Sequence, residues 1–202
     1  MKTRGCPPNF LQKWLDYFEK DIRHEIQWLV MHNNIFKEIR QIVNDNTKIN
    51  QQNIFFPYLG DTYRVSAAIA IRSQLDTDKR SISMARLLNQ IENHPAIFLN
   101  IFSKNGFSGD SNACRKKSHD DLEKLKSMTD KIKIFANKWV AHIDSVKPVV
   151  PTFDEIGDCI DLLDCLYTEY YRFFHGKIMI TTGAVPQYPW AREIFRMPWI
   201  ND

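Results

Sequence analysis

Long apolar runs are missing from this sequence. No stretch approaches 18 uninterrupted apolar residues, so no membrane-spanning helix is expected. The opening MKTRGCPPNF has basic residues but no apolar segment after them, which argues against a signal peptide. Glycine is scarce. The seven glycines, at 5, 60, 106, 109, 157, 176 and 183, make neither GxGxxG nor GxxxxGK, which excludes a glycine-rich phosphate loop. The four cysteines, Cys6, Cys114, Cys159 and Cys165, contain no CxxC pair, and Cys159 and Cys165 fall on different sides of one predicted helix. His24-Glu25 lacks the second histidine of HExxH. No metal site and no cofactor is therefore expected, and the thiols read as reduced in a cytoplasm. A strong charge of one sign is absent too. A net charge of +3 permits a nucleic-acid partner only through a local basic stripe.

What is present is helical. The chain has 202 residues, 44% hydrophobic and 25% charged, enough to bury a core, and its 12% aromatic share implies a large aromatic area inside. Helix formation can begin at Pro7 and Pro8. Leu11, Trp14, Leu15, Phe18, Ile22, Ile26 and Leu29 recur at steps of three and four, and the stripe resumes with Ile35, Phe36, Ile39, Ile42 and Val43. This predicts one long or broken first helix, ending in the polar run from Asn44 to Gln52. A second helix runs from Ile54 to Leu75. Its middle, Val65 to Ile71, is apolar on most faces and belongs at the centre of a bundle. Arg64 and Arg72 need partners there, and Asp76, four residues beyond Arg72, is the nearest for it.

Ser81 can cap a short third helix carrying Met84, Leu87, Leu88 and Ile91, which Pro95 ends. A further turn or two holds Ile97, Phe98, Ile101 and Phe102. Residues 104–119 read as one long loop in which Arg115, Lys116 and Lys117 form a basic run able to touch phosphate, though a solvated run is the commoner case. Ser118 and Asp121, with Asp120, resemble the start of a fourth helix reaching to about Val146. Thr152 and Glu155 form a capping box for the last helix, with Ile156, Ile160, Leu163, Tyr167 and Phe174 along it. The tail carries Pro186, Pro189, Pro198, Trp190, Phe195 and Trp199, and so apolar a segment should pack back on the bundle.

The fourth helix carries the candidate chemistry. At about 100° per residue, Leu125, Met128, Ile132, Phe135, Trp139 and Ile143 share one arc, the core face. Lys131 and Lys138 fall just outside it, and His142 stands at the margin between the apolar arc and the lysines. A histidine partly desolvated beside cations has a lowered pKa and suits acid–base work near neutrality. A packed or solvent-facing histidine beside a solvated lysine stripe is the plainer reading of the same pattern.

The segment Asn137-Lys-Trp-Val-Ala-His142, followed by Ile143-Asp144, resembles the signature of the HEPN superfamily: an arginine, commonly a polar residue after it, then four to six residues to a histidine. The pieces Ala-Ile-Arg72-Ser-Gln-Leu-Asp76, Ser81 to Leu88 and Pro151-Thr-Phe-Asp-Glu155 are similar to its abortive-infection, AbiU-like branch. The resemblance runs from about residue 10 to 175 in helix order. It implies an α-helical, usually dimeric domain, in many members a metal-independent endoribonuclease of toxin–antitoxin or antiphage systems. By that resemblance His142 acts on the ribose 2′-hydroxyl or the leaving oxygen and Asn137 matches the polar residue. The family's arginine is replaced by Ala136, so the cation at the phosphate falls to Lys138 or Arg72. Restoring the pattern with Ala136→Arg is then expected to raise activity.

The sequence is thus read as an all-α, up-and-down bundle of about five helices with a Pro/Trp-rich C-terminal tail. It forms one domain over 1–202, with core helices in 8–175 and a packed tail in 176–202. The expected function is that of an RNA-binding, HEPN-like protein acting as a metal-independent endoribonuclease of toxin or antiphage-defence type. Its site is Asn137, Lys138, His142 and Arg72. The expected partners are a second copy in a homodimer, RNA and a cognate antitoxin, with no membrane. The alternatives are a non-catalytic HEPN-like module binding a protein or nucleotide partner, and a helical bundle whose resemblance is coincidental.

Overall fold

Aromatic and branched side chains at helical spacing decide the architecture. The computed structural model describes residues 9–45, 54–140 and 149–183. Of these, 82% are helical and none lies in a strand. In chain order the elements are α1 (Phe10–Tyr17), a π turn (Phe18–Ile22), α2 (Arg23–Asp45), α3 (Phe55–Gln74), α4 (Met84–Asn93), α5 (Pro95–Phe102), α6 (Ser111–Phe135), a second π turn (Ala136–Val140) and α7 (Phe153–His175). The first π turn joins α1 to α2 without a break, so the described residues form six helical rods where the periodicity suggested about five. None of their helices is long and apolar enough to cross a membrane.

The expected stripe of the first rod is buried. Trp14, Phe18, Ile22, Ile26 and Leu29 are at most 4% exposed. Phe18 stacks on Tyr167 of α7 with ring centroids 4.3 Å apart, and truncating so enclosed a ring costs about 3–5 kcal/mol. The apolar centre of α3 enters the same core through Ala67, Ala68 and Ile71, as do Leu87 and Leu88 of α4. Small side chains on α3 let its neighbours approach closely.

Helix boundaries follow the caps. Thr152 accepts from the Glu155 amide while the Glu155 carboxylate accepts from the Thr152 amide, the capping box read in the sequence. Gly176 ends α7 at φ 66°, and Asn105 donates to the Phe173 and Phe174 carbonyls left open there. Two expected starts are corrected. α4 is capped by Ser83, not Ser81; the Ser81 hydroxyl instead closes the preceding turn on the Asp76 and Asp78 carbonyls. α6 begins at Ser111, where Asp110 accepts from the Asn112 and Ala113 amides. The long loop is therefore short, because a start at Asp110 lets Cys114, Ser118 and Leu122 enter the core from one helix.

Ser118 sits buried inside α6, its hydroxyl donating to the Cys114 carbonyl. The residues taken as helix-start and loop chemistry are likewise mid-helix. Arg115 donates to the Glu92 carbonyl, His119 lies 3.0 Å from the Glu92 carboxylate, and Lys117 bridges Asp121 and Glu169 at 2.8 Å. Of the C-terminal tail only its beginning falls among the described residues. There Thr181 and Thr182 bond Asp164, Thr182 is buried and Met179 packs on the core. The Pro/Trp portion lies outside them.

Candidate functional site

Position along α3 sets the first group. Arg72 stands in the last turn of that helix, on its exposed side. The turn is pinned from within: Gln74, 1% exposed, accepts the Met84 amide, and the Ser83 hydroxyl donates to the Asp76 carbonyl. The chain leaving α3 is thereby tied to the start of α4, and the Arg72 backbone is held between them.

The second group comes from the end of α6. There the helix widens into the π turn Ala136–Val140, a change of pitch that is frequent at functional positions. Arg72 Nε donates to Asn137 Oδ1 across the α3–α6 contact. The bond engages Nε of an exposed residue, and the two terminal nitrogens beyond it form a fork suited to a phosphate or carboxylate. Lys138 is exposed one residue further along the turn. Lys133, four residues before Asn137 and therefore on the same side of the helix, is exposed as well. Lys133 was missed in the sequence, although its spacing from Asn137 could have drawn attention to it. His142 lies outside the described residues, as does Ile143.

Two expectations about these groups change. Arg72 is not paired with Asp76; both are exposed, and Asp76 Oδ1 accepts the Asp78 amide at 2.9 Å. An aspartate two residues before an amide closes its own turn, a shorter path than folding back to a long side chain. The lysine stripe is also divided. Lys131 bonds both oxygens of Glu155 at 2.6 and 2.7 Å, clamping α6 to the capping box of α7. That pairing, with the Thr152 amide, holds the Glu155 carboxyl below its ordinary range. On the arc assigned to the core, Ile132 and Phe135 are buried, but Met128 is 41% exposed.

The alanine in the signature has a definite setting. Ala136 is 2% exposed and belongs to the hydrophobic core cluster. Among the described residues no group of histidine, cysteine and acidic side chains could hold a metal ion. Burial pushes the thiols up, to about 11 at Cys114 and about 12 at Cys159.

The sequence model of the AbiU2 HEPN family matches residues 11–178. The chain belongs to this family. No curated protein and no solved structure matches it. The family match spans every helix described above, from the second residue of α1 past the end of α7. It identifies an abortive-infection-related HEPN domain. In this AbiU2 domain the signature helix carries no arginine of its own before Asn137, and the guanidinium beside Asn137 arrives from α3.

Proposed function

We propose that this AbiU2 domain binds RNA and cleaves it without a metal, as the effector of an antiphage defence system in the cytoplasm. The observation that carries the reading is the Arg72–Asn137 bond, which sets a cationic fork beside the polar residue of the HEPN signature. His142, five residues beyond Asn137, is the acid–base group. In the reaction the 2′-hydroxyl gives up its proton and its oxygen attacks the adjacent phosphorus. The P–O5′ bond breaks, and the leaving oxygen takes a proton. The products are a 2′,3′-cyclic phosphate and a 5′-hydroxyl end. Arg72 offsets the charge that builds on the phosphoryl oxygens, Asn137 holds that guanidinium in place, and Lys138 supplies a further point charge. A second copy completes the groove, with the α6 helices near the two-fold axis, and a cognate antitoxin would act by covering it.

The test is incubation of purified protein with total RNA in EDTA, with fragment ends mapped. Wild type should cut and leave cyclic phosphates, and His142→Ala should not. Light scattering at tens of micromolar should give a dimer. One observation favours a second reading. With Ala136 buried, the position of the family arginine contributes nothing to an open surface. Wild-type protein inert toward every RNA would put in place the non-catalytic module that binds a protein or nucleotide partner.

A further inference from the structure

A second cavity lies away from this site, where the C-terminal end of α2, the N-terminal end of α3 and the first residue of α7 meet. Its volume is about 370 Å³, within the range of small-ligand sites. Phe36, Val43, Phe56 and Leu59 give it apolar walls, and Asn44 stands at its rim. Phe153 closes one end, its ring packed so tightly on Gly60 that a Cβ there would lie 3.0 Å from the ring. Two guanidiniums converge on that ring, Arg64 at 4.5 Å and Arg40 at 5.5 Å from its centroid.

The polar groups of the pocket are unevenly satisfied. Arg64 donates through Nη1 to Asp61, and Arg40 through Nη1 to Asp154. Asp61 and Asp154 are 71% and 81% exposed, so these pairs are held weakly and an anion can replace them. Arg64 itself is only 20% exposed. Its Nε is buried and has no hydrogen-bond partner. A buried N–H donor left open calls for an explanation, because its desolvation is uncompensated. The guanidinium is packed on the Phe153 ring, so the part an anion can reach is the Nη edge now held by exposed Asp61.

We propose that this cavity binds a nucleotide unit, its base against the apolar walls and its phosphate on Arg40 and Arg64. One face of the Arg64 guanidinium rests on the Phe153 ring, and its Nη edge, with that of Arg40, gives the phosphate a pair of cationic donors. The unit can come from a free mononucleotide or from an unstacked residue of a bound RNA strand. The RNA source rests on the function proposed above. Arg64 precedes Arg72 by eight residues on α3, about 12 Å along its axis, so one strand can occupy both places.

The experiment measures binding of the four mononucleoside 5′-monophosphates, a labelled single-stranded oligoribonucleotide and inorganic phosphate to the full chain. RNA cleavage is recorded in parallel. Wild type should bind at least one mononucleotide, with phosphate alone a poor competitor. Arg64→Lys removes Nε and the fork, and should weaken that binding roughly tenfold or more. Asn44→Trp fills the rim from an exposed position and should do the same with an unchanged melting temperature. It keeps the test valid if Arg64→Lys fails to fold. RNA competing with the mononucleotide supports the strand as the source; mononucleotide binding that RNA cannot displace supports a free nucleotide. No mononucleotide binding, complete displacement by phosphate alone, or wild-type affinity in Asn44→Trp overturns the pocket. Cleavage without mononucleotide binding leaves the ribonuclease standing and removes the pocket, and binding without cleavage does the reverse.

Discussion

Placing an arginine at position 136 separates what the HEPN signature suggests from what the packing permits. By the signature alone, Ala136→Arg completes the family pattern and should raise activity. Ala136, however, is 2% exposed within the core cluster, at the point where α6 opens into its π turn. The new side chain must fit where only a methyl group fits now, an overpacking cost of about 1–3 kcal/mol. If its charged end stays beneath the surface without a partner, a further 1–3 kcal/mol or so follows. The sum is about 2–6 kcal/mol. At roughly 2–4 °C per kcal/mol for a chain of this length, the melting temperature should fall by about 4–24 °C. Ala136→Met serves as the control, because it adds bulk without charge and should lose only the first part. Differential scanning calorimetry should rank wild type above Ala136→Met, and Ala136→Met above Ala136→Arg. RNA cleavage in EDTA should not exceed the wild-type rate. An Ala136→Arg protein that melts within 2 °C of wild type and cuts RNA faster would refute the reasoning, since the side chain would then have reached open solvent.

Other consequences can be checked with the same protein. Arg72→Ala should cut RNA roughly 10- to 100-fold more slowly while melting within about 2 °C of wild type, because Arg72 is exposed and Asp76 does not depend on it; a large fall in melting temperature would count against this. Thr152→Ala removes one half of the α7 capping box and should cost about 0.5–2 kcal/mol in urea denaturation. Burial alone would lower the Lys117 pKa, but hydrogen bonds to Asp121 and Glu169 raise it above 10.5, while burial, with Asp121 beside it, raises that of Tyr170 well above 10.0. Both folded-state pKa values exceed the unfolded ones, so the stability they contribute is present below about pH 10 and lost above it, and the urea midpoint should fall there. A midpoint that rises above pH 10 would contradict that sign. Iodoacetamide should alkylate exposed Cys165 in the folded protein and spare buried Cys114 and Cys159, as read by peptide mass spectrometry.

The parts of the fold that were legible in the sequence are those set by periodicity. The stripe from Trp14 to Leu29 and the run of small residues in α3 each announce a buried face, because a helix repeats its face every three or four residues whatever surrounds it. The Thr152–Glu155 box was legible for the same reason, since both partners are local. Errors came where several local solutions competed. Asp110 and Ser118 can both start a helix, as can Ser81 and Ser83, and the choice depends on which residues the core then buries. With α6 starting at Ser111, Cys114, Ser118 and Leu122 all face inward, a register that a start at Ser118 does not require.

Arg72 and Asn137 could be named from the sequence as candidates, but their contact could not. Arg72 and Asn137 are 65 residues apart, and nothing local says that they touch. The sequence offered Asp76 as the partner of Arg72 because a spacing of four is visible along one helix, whereas a contact between two helices is not. The π turn deepens the difficulty. A wheel drawn at constant pitch carries the α6 register past Ala136, but a π turn holds more residues per turn, so that register no longer applies beyond it. At constant pitch position 136 falls at the edge of the core arc, beside Leu125, and the structure buries it. Under the function proposed above, the guanidinium that the signature lacks at 136 comes from outside the helix. In that proposal Arg72 takes the role, because α3 packs against the π turn and its own last turn is tied to α4. A guanidinium held on a neighbouring helix tolerates an alanine in the signature. That is why the missing arginine weighs less against catalysis than the motif alone implies.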